Sequence, residues 1–90
     1  MKDSAVLRQN PHAAAAEIGD EVVFLHEGDG VYYGLDGVGA FVWTLLDAPR
    51  SFNDILRLVL AEYDVGEETC RRDLEELVRI LHEKDLIRLD

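Results

Sequence analysis

The sequence predicts a single α+β domain in which a three-stranded antiparallel sheet is followed by three helices. Its 90 residues allow only one hydrophobic core, and 48% hydrophobic with 31% charged residues is a globular composition. Between residues 14 and 35, short apolar runs alternate with glycine-containing turns, as they do in a sheet. After Asp36 the apolar residues recur at helical spacing instead.

The first twelve residues are polar and include Pro11. We expect residues 1–12 to form an N-terminal arm that is partly ordered at best, and residues 13–90 to form the domain. A weak first strand is predicted at Ala14–Ile18, because the turn signal at Gly19-Asp20 follows too closely for a helix.

Two stronger strands follow. Glu21–His26 is a run of β-branched and aromatic residues, and Glu27–Gly30 contains two glycines that favour a hairpin turn. The chain returns at Val31–Leu35 as a third strand. Such a small meander needs a helical cover to be stable. Alternation divides the third strand between two faces, one with Val31, Tyr33 and Leu35 and the other with Tyr32 and Gly34.

The first two helices have recognisable starts. Asp36 is a good N-cap for a helix at Gly37–Leu46. Ser51 begins a pattern that resembles a capping box and opens a second helix, which extends to about Glu62. The predicted inward residues are Val38, Phe41, Val42, Leu45 and Leu46, flanked by Trp43, in the first helix and Phe52, Ile55, Leu56 and Val59 in the second.

A third helix is predicted from Glu67 to about Lys84. The negative Glu67 suits the positive N-terminal end of the helix dipole, and the positive Lys84 suits its negative C-terminal end. The apolar tail Leu86–Leu89 is expected to pack back on the core. Three short helices with a hairpin as the wing predict a winged helix-turn-helix-like arrangement. In the third helix one face carries Cys70, Leu74, Leu77 and Leu81, with Val78 and Ile80 on opposite shoulders.

The charge distribution limits the partners. The net charge is −10, and between Ala13 and Leu46 there are six acids and no Lys or Arg. A protein that binds duplex DNA needs a cationic face to displace counterions from the phosphates. Nucleic acid and an anionic membrane are therefore poor partners for this segment.

Catalytic, metal and cofactor sites are not predicted. No two of His12, His26 and His82 have the spacing of helical metal ligands, and Cys70 is read as a small buried hydrophobe. The glycine pairs near residues 28 and 37 lack the remaining residues of a phosphate loop. A non-enzymatic protein without metal or cofactor is expected. The lack of an apolar N-terminal or membrane-spanning run makes the cytoplasm the expected location.

Several motifs together resemble a known family. Residues 32–47 read YYGLDGVGAFVWTLLD, and they are followed by a helix opening at Ser51, by Arg71-Arg72-Asp73-Leu74 and by Asp85-Leu86-Ile87. This order is similar to the PqqD-like family, the precursor-peptide recognition elements of ribosomal natural-product pathways. Asp36 stands where the family usually has Asn, and Asp85 where it has Gly. Trp43 makes the chain resemble stand-alone members of lasso peptide pathways more than the pyrroloquinoline quinone pathway protein.

The resemblance implies a non-catalytic adaptor. Such a domain binds the leader segment of a ribosomally made precursor peptide, which adds as a strand beside the third strand and lies against the third helix. It presents the peptide to a modifying enzyme, such as a radical SAM enzyme or a peptidase, in natural-product or cofactor biosynthesis of the pyrroloquinoline quinone type. The free edge of a three-stranded meander is compatible with strand addition, because its backbone groups are unpaired.

The predicted peptide groove lies between the third strand and one shoulder of the third helix. Arg71 would donate a hydrogen bond to an acidic side chain of the leader. The opposite shoulder, with Asp73 and Ile80, is the alternative, and the sequence does not choose between them. The predicted contact residues are Val31, Tyr32, Tyr33, Gly34 and Leu35 on the strand and Arg71, Leu74, Glu75 and Val78 on the helix.

The alternative function is a winged helix-turn-helix protein that binds nucleic acid or regulates transcription. The acids of the wing argue against it, as do Asp73, Glu75 and Glu76 beside the arginines of the third helix. A small dimerisation module is a third reading, and the sequence leaves homodimerisation open.

Overall fold

A computed structural model describes residues 1–26 and 30–90, with only the backbone described at His26 and Tyr32. It confirms the mixed α+β architecture with antiparallel sheets and three helices. No helix in these ranges is both long and apolar enough to cross a membrane. In chain order the elements are β1 (Val6–Gln9), β2 (Ala15–Ile18), β3 (Glu21–His26), β4 (Gly30–Leu35), α1 (Gly37–Leu45), β5 (Arg50–Ser51), α2 (Phe52–Glu62), α3 (Glu67–Glu83) and β6 (Ile87–Leu89).

The predicted meander is present as the sheet β2-β3-β4. Both strand pairs are antiparallel, and β4 forms one edge of this sheet. Residues 27–29 of the predicted hairpin turn lie outside the described residues. Gly30, which closes that turn, has a φ of 76°, a left-handed conformation that glycine adopts without steric cost.

A register shift between Phe24 and Leu25 corrects the predicted faces of β4. Phe24 pairs with Tyr33, but Leu25 pairs with Val31, so β4 has one extra residue at this point. Directly opposed residues share a face of the sheet. Val31 therefore lies with Leu25 on the outer face, away from Tyr33, and it is exposed. The predicted orientation of the Tyr32 ring lies outside what the structure describes.

The expectation of an N-terminal arm is wrong for Val6–Gln9. These residues form the central strand of a second sheet, β5-β1-β6, and the side chain of Leu7 is fully buried. The buried Asn10 follows, and its Nδ2 donates a hydrogen bond to the carbonyl of Asp85 at 2.7 Å. The strand was not predicted because its partners are distant in sequence, so no local pattern indicates the pairing.

The buried face of α1 also differs from the prediction. Trp43 is buried rather than flanking, and its ring meets the Phe24 ring edge-on, with 4.8 Å between centroids and 89° between planes. Val38, predicted to be inward, is 39% exposed. Asp36 occupies the N-cap position, but its side chain makes no capping hydrogen bond. The buried residues at this helix are Ala40, Val42, Trp43 and Leu46.

The second helix follows the prediction closely. The Ser51 hydroxyl accepts a hydrogen bond from the Asp54 amide at 3.1 Å, which makes Ser51 the N-cap. The four predicted inward residues Phe52, Ile55, Leu56 and Val59 are all buried.

The third helix has its buried face turned toward Val78. That residue is fully buried, whereas Leu77 is only half-buried. The predicted C-terminal tail does pack on the core, because Leu86 and Ile87 are buried and β6 pairs with β1. The buried residues of α3 are Cys70, Leu74, Val78 and Leu81.

We expect Trp43→Ala to lower the free energy of unfolding by about 3–5 kcal/mol, because a large buried aromatic residue leaves a cavity. That is much of the stability of a small domain. Val38→Ala in the same helix should change it little, since Val38 is partly solvated. Chemical denaturation measures both. Equal losses of unfolding free energy in the two variants would contradict an inward face of α1 that contains Trp43 and not Val38.

Candidate peptide-binding site

The free edge of the sheet lies along β4. The Leu25 amide donates to the Ala14 carbonyl at 2.9 Å, so the backbone groups of Leu25 point toward β2. Successive residues of a strand direct these groups to opposite sides. Phe24 therefore bonds to β4 through its partner Tyr33, and the next residue of β4, Gly34, directs its N–H and C=O to the free edge.

Gly34 leaves this edge open. The residue is exposed, and among the described residues a Cβ atom added to it would meet the Val22 carbonyl oxygen alone, at 3.7 Å. That is an ordinary van der Waals distance, so the fold does not require glycine here. What the glycine provides is a backbone that another chain can approach closely.

The C-terminal end of α3 lies beside β4. The ammonium nitrogen of Lys84, the C-cap of α3, is 4.7 Å from the centre of the Tyr33 ring, a cation–π contact. Tyr33 in turn stacks on Phe24, with ring centroids 6.2 Å apart. Helical spacing places Ile80, Leu77 and Asp73 on the same side of the helix as Lys84.

A groove of about 440 Å³ lies where α1 begins, against the end of α2 and the N-terminal half of α3. It adjoins the end of β4, because the Leu35 side chain packs closely on Gly39, where an added Cβ would be 3.1 Å from Leu35 Cδ2. Six of its lining residues are Val38, Gly39, Tyr63, Val65, Asp73 and Leu77. The groove is thus mainly apolar, with the carboxylates of Asp64 and Asp73 in its lining.

The N-terminal segment lies on the opposite shoulder of α3. Arg71 Nη1 donates to Asp3 Oδ1 at 2.7 Å, and the guanidinium lies 5.9 Å from the centre of the Phe52 ring. This hydrogen bond lowers the pKa of the Asp3 carboxyl below its usual value. The N-terminal ammonium of Met1 lies 3.1 Å from Glu75 Oε2. Arg71 and Glu75 are therefore already paired within the chain.

The two apolar helix residues of the predicted groove belong to the core. Val78 is fully buried, and Leu74 is buried while bordering the groove. The structure thus brings Lys84, at the C-terminal end of α3, against Tyr33 of β4. Arg71 and Glu75 pair instead with the N-terminal segment. Sequence reasoning missed Val38, Tyr63, Val65 and Lys84. An apolar Val65 and an aromatic Tyr63 in a helix break were the available signal.

The single cysteine is unsuited to nucleophilic chemistry. Burial is the main factor that raises the pKa of the Cys70 thiol, with a smaller contribution from the carboxylate of Asp73. The thiol therefore stays protonated at neutral pH. Over residues 1–26 and 30–90, no three His, Cys, Asp or Glu side chains are grouped as metal ligands would be.

A small α+β domain with an open edge strand beside an apolar groove has the architecture on which peptides add as strands. The chain belongs to the PqqD family, since the model described as coenzyme PQQ synthesis protein D (PqqD) matches residues 21–87. This confirms the resemblance read from the sequence. No curated protein matches the chain.

Two solved structures are similar over nearly the whole chain. "TbiB1 in Complex with the TbiA(beta) Leader Peptide" is 38% identical with a TM-score of 0.78, covering 90% of this chain and 94% of that one. "Lasso peptide synthetase B1 complexed with the leader peptide" is 26% identical with a TM-score of 0.75, covering 91% and 96%. Both of these structures thus contain a bound leader peptide.

Proposed function

We propose that the chain is a non-catalytic adaptor that binds the leader segment of a ribosomally made precursor peptide and presents it to a modifying enzyme. The observation that carries the proposal is the 38% identity to a leader-bound protein over 90% of the chain. Similarity to two leader-bound proteins, one of them a lasso peptide synthetase B1, favours a lasso peptide pathway over pyrroloquinoline quinone synthesis. The enzyme served would then be a peptidase rather than a radical SAM enzyme, and both would act in the cytoplasm.

In the proposed complex the leader pairs with β4 as a fourth strand. The outward N–H and C=O of Gly34 then form hydrogen bonds with the leader backbone in place of water. The edge strand does not need to rearrange to form these bonds. Main-chain bonds give affinity with little sequence selectivity. Selectivity comes from pockets for alternate side chains of the added strand.

We place those pockets on the side of α3 that carries Asp73, Leu77 and Lys84. Three features support this side. The Lys84–Tyr33 contact joins it to β4, the apolar groove opens on it, and Arg71 on the other side already pairs with Asp3. The contact residues on β4 remain those predicted, while Arg71 and Glu75 become residues that hold the N-terminal segment.

The nucleic-acid alternative is not favoured. The strands beside the proposed site come from a stretch without Lys or Arg, and the groove has Asp64 and Asp73 at its border. A phosphate backbone would meet negative charge on that side.

Gly34→Pro should weaken leader binding at least about tenfold, which corresponds to about 1.4 kcal/mol. Proline removes the outward N–H and adds a ring at the free edge, but it leaves the β3–β4 hydrogen bonds intact. The measurement is isothermal titration with the TbiA(beta) leader peptide, the ligand of the 38% identical protein.

The matched control is Gly34→Ala, which keeps the N–H and adds only a Cβ with room to fit. It should bind within a factor of about two of the unchanged chain. Equal affinity of the Pro and Ala variants, with both still folded by circular dichroism, would rule out strand addition at β4.

A second pair of variants tests the helix side. Leu77 and Leu60 are both half-buried leucines that pack on the core, but only Leu77 lines the groove. Leu77→Ala and Leu60→Ala should therefore cost similar stability, whereas only Leu77→Ala should weaken leader binding, by about 5–20-fold for the lost apolar contact.

Arg71→Ala belongs in the same titration series. If it weakens the leader more than Leu77→Ala does, the peptide lies on the Arg71 shoulder and the side proposed here is wrong. Thermal melting of each variant separates lost binding from lost folding.

A further inference from the structure

The outer face of the sheet β2-β3-β4 is apolar and uncovered. Strand pairing places Ile18, Leu25 and Val31 on this face, opposite to the side that packs on α1. They are 62%, 40% and 60% exposed, three of the large apolar side chains that the described part of the chain exposes most. The described residues that the pairing places on this face are Ala14, Ala16, Ile18, Glu21, Val23, Leu25, Val31 and Gly34, and Glu21 is the only charged one.

The sequence of β3 indicates that another protein surface covers this face. An antiparallel strand with one solvated face alternates apolar and polar residues. In β3, Val22-Val23-Phe24-Leu25 is apolar without interruption. Val22 and Phe24 are buried against the helices, while Val23 and Leu25 face outward without a covering element in the described structure. Such a continuous apolar run is typical of a strand with cover on both sides.

We propose that this outer face is the docking surface for the enzyme that modifies the bound peptide, and that the enzyme contacts it with an apolar patch flanked by Lys and Arg. The inference rests on the proposed function. The charge supports the choice of partner: residues 13–46 contain six acids and no Lys or Arg, so this part of the chain attracts a basic surface.

A second copy of this chain fits the face less well. It would bring the same acids against themselves, and like charges across an interface are repulsive. The area is also too small. Three strands about 4.8 Å apart and about 14–20 Å long present only about 200–300 Å². A stable protein–protein interface buries about 800 Å² on each partner.

The position of the face suits an enzyme that acts on the peptide. Its border is β4, the strand on which the leader is proposed to add, and an added strand continues the same sheet. A partner seated on this face therefore reaches the bound peptide without a change in the adaptor. Contact with both would supply the area that the face alone lacks.

The test is the double variant Ile18→Thr/Leu25→Thr, measured against a leader peptidase of a lasso peptide pathway, the class of enzyme proposed above. Threonine keeps the strand preference and removes most of the apolar contact. Neither residue contributes backbone to the β4 edge. The matched control is Leu89→Thr, an equally exposed leucine, at 41%, on the other sheet.

We expect the double variant to bind the enzyme at least about tenfold more weakly in biolayer interferometry, and the control to bind as the unchanged chain does. Glu21→Lys should also weaken binding, and the interaction should weaken as salt rises. Leader binding, titrated in parallel, should be the same in all variants. Equal enzyme binding by the double variant and Leu89→Thr would overturn the proposal.

Two other outcomes are distinct. If the unchanged chain binds the enzyme but not the leader, the proposed function fails while the docking surface stands. If sedimentation shows a dimer that Ile18→Thr/Leu25→Thr dissociates, a second copy covers the face and the proposed occupant is wrong.

Discussion

The contact between the Phe24 and Trp43 rings holds the meander on the helices, and the position of the edge strand β4 relative to the helices depends on it. Phe24 comes from the middle strand of the sheet and Trp43 from the last turn of α1, so their edge-to-face packing joins the two layers. Tyr33 stacks on the same Phe24 ring, and the ammonium group of Lys84 lies over the Tyr33 ring. These contacts align the C-terminal end of α3 with the edge strand β4. The open strand and the helix are thus placed by core packing, before any ligand is present.

The second sheet stabilises this arrangement from the opposite end. β1 joins β5, between the first two helices, to β6, which follows the third. The segment before β1 continues across the helices, with the Asp3–Arg71 ion pair and the backbone bond from the Asn53 amide to the Asp3 carbonyl. Exposed ion pairs contribute little to stability on their own. Their effect here is to hold the N-terminal segment over the Arg71 and Glu75 shoulder of α3.

Local signals in the sequence predicted some elements well. The Ser51 cap fixed the start of α2 and therefore its phase, so its four inward residues were correct. In α1 the apolar residues surround the helix, because Val38, Phe41 and Leu45 accompany the buried Val42 and Trp43. Periodicity alone therefore could not choose the inward face, which the Phe24 contact decides. The strand β1 was missed because its pairing is entirely non-local.

The candidate site likewise has a part that local sequence signals predict and a part that depends on contacts between distant residues. The edge strand was predicted, because the third strand of a meander is an edge by topology. The helix shoulder that faces the peptide stays a prediction. The sequence did not show that the N-terminal segment lies against Arg71 and Glu75, because that segment was expected to be an arm. The inner and outer faces of β4 were misassigned at Val31, since a register shift between Phe24 and Leu25 leaves no clear mark in the sequence.

Amide hydrogen exchange at Gly34 tests the central claim most directly, because this one N–H reports whether the free edge of β4 gains a partner. In the free chain it should exchange quickly, while the Tyr33 amide, bonded to β3, should be protected. Addition of the precursor leader peptide at saturation should slow exchange at Gly34 by at least about tenfold. Unchanged, rapid exchange at Gly34 in a chain saturated with leader would contradict strand addition at this edge.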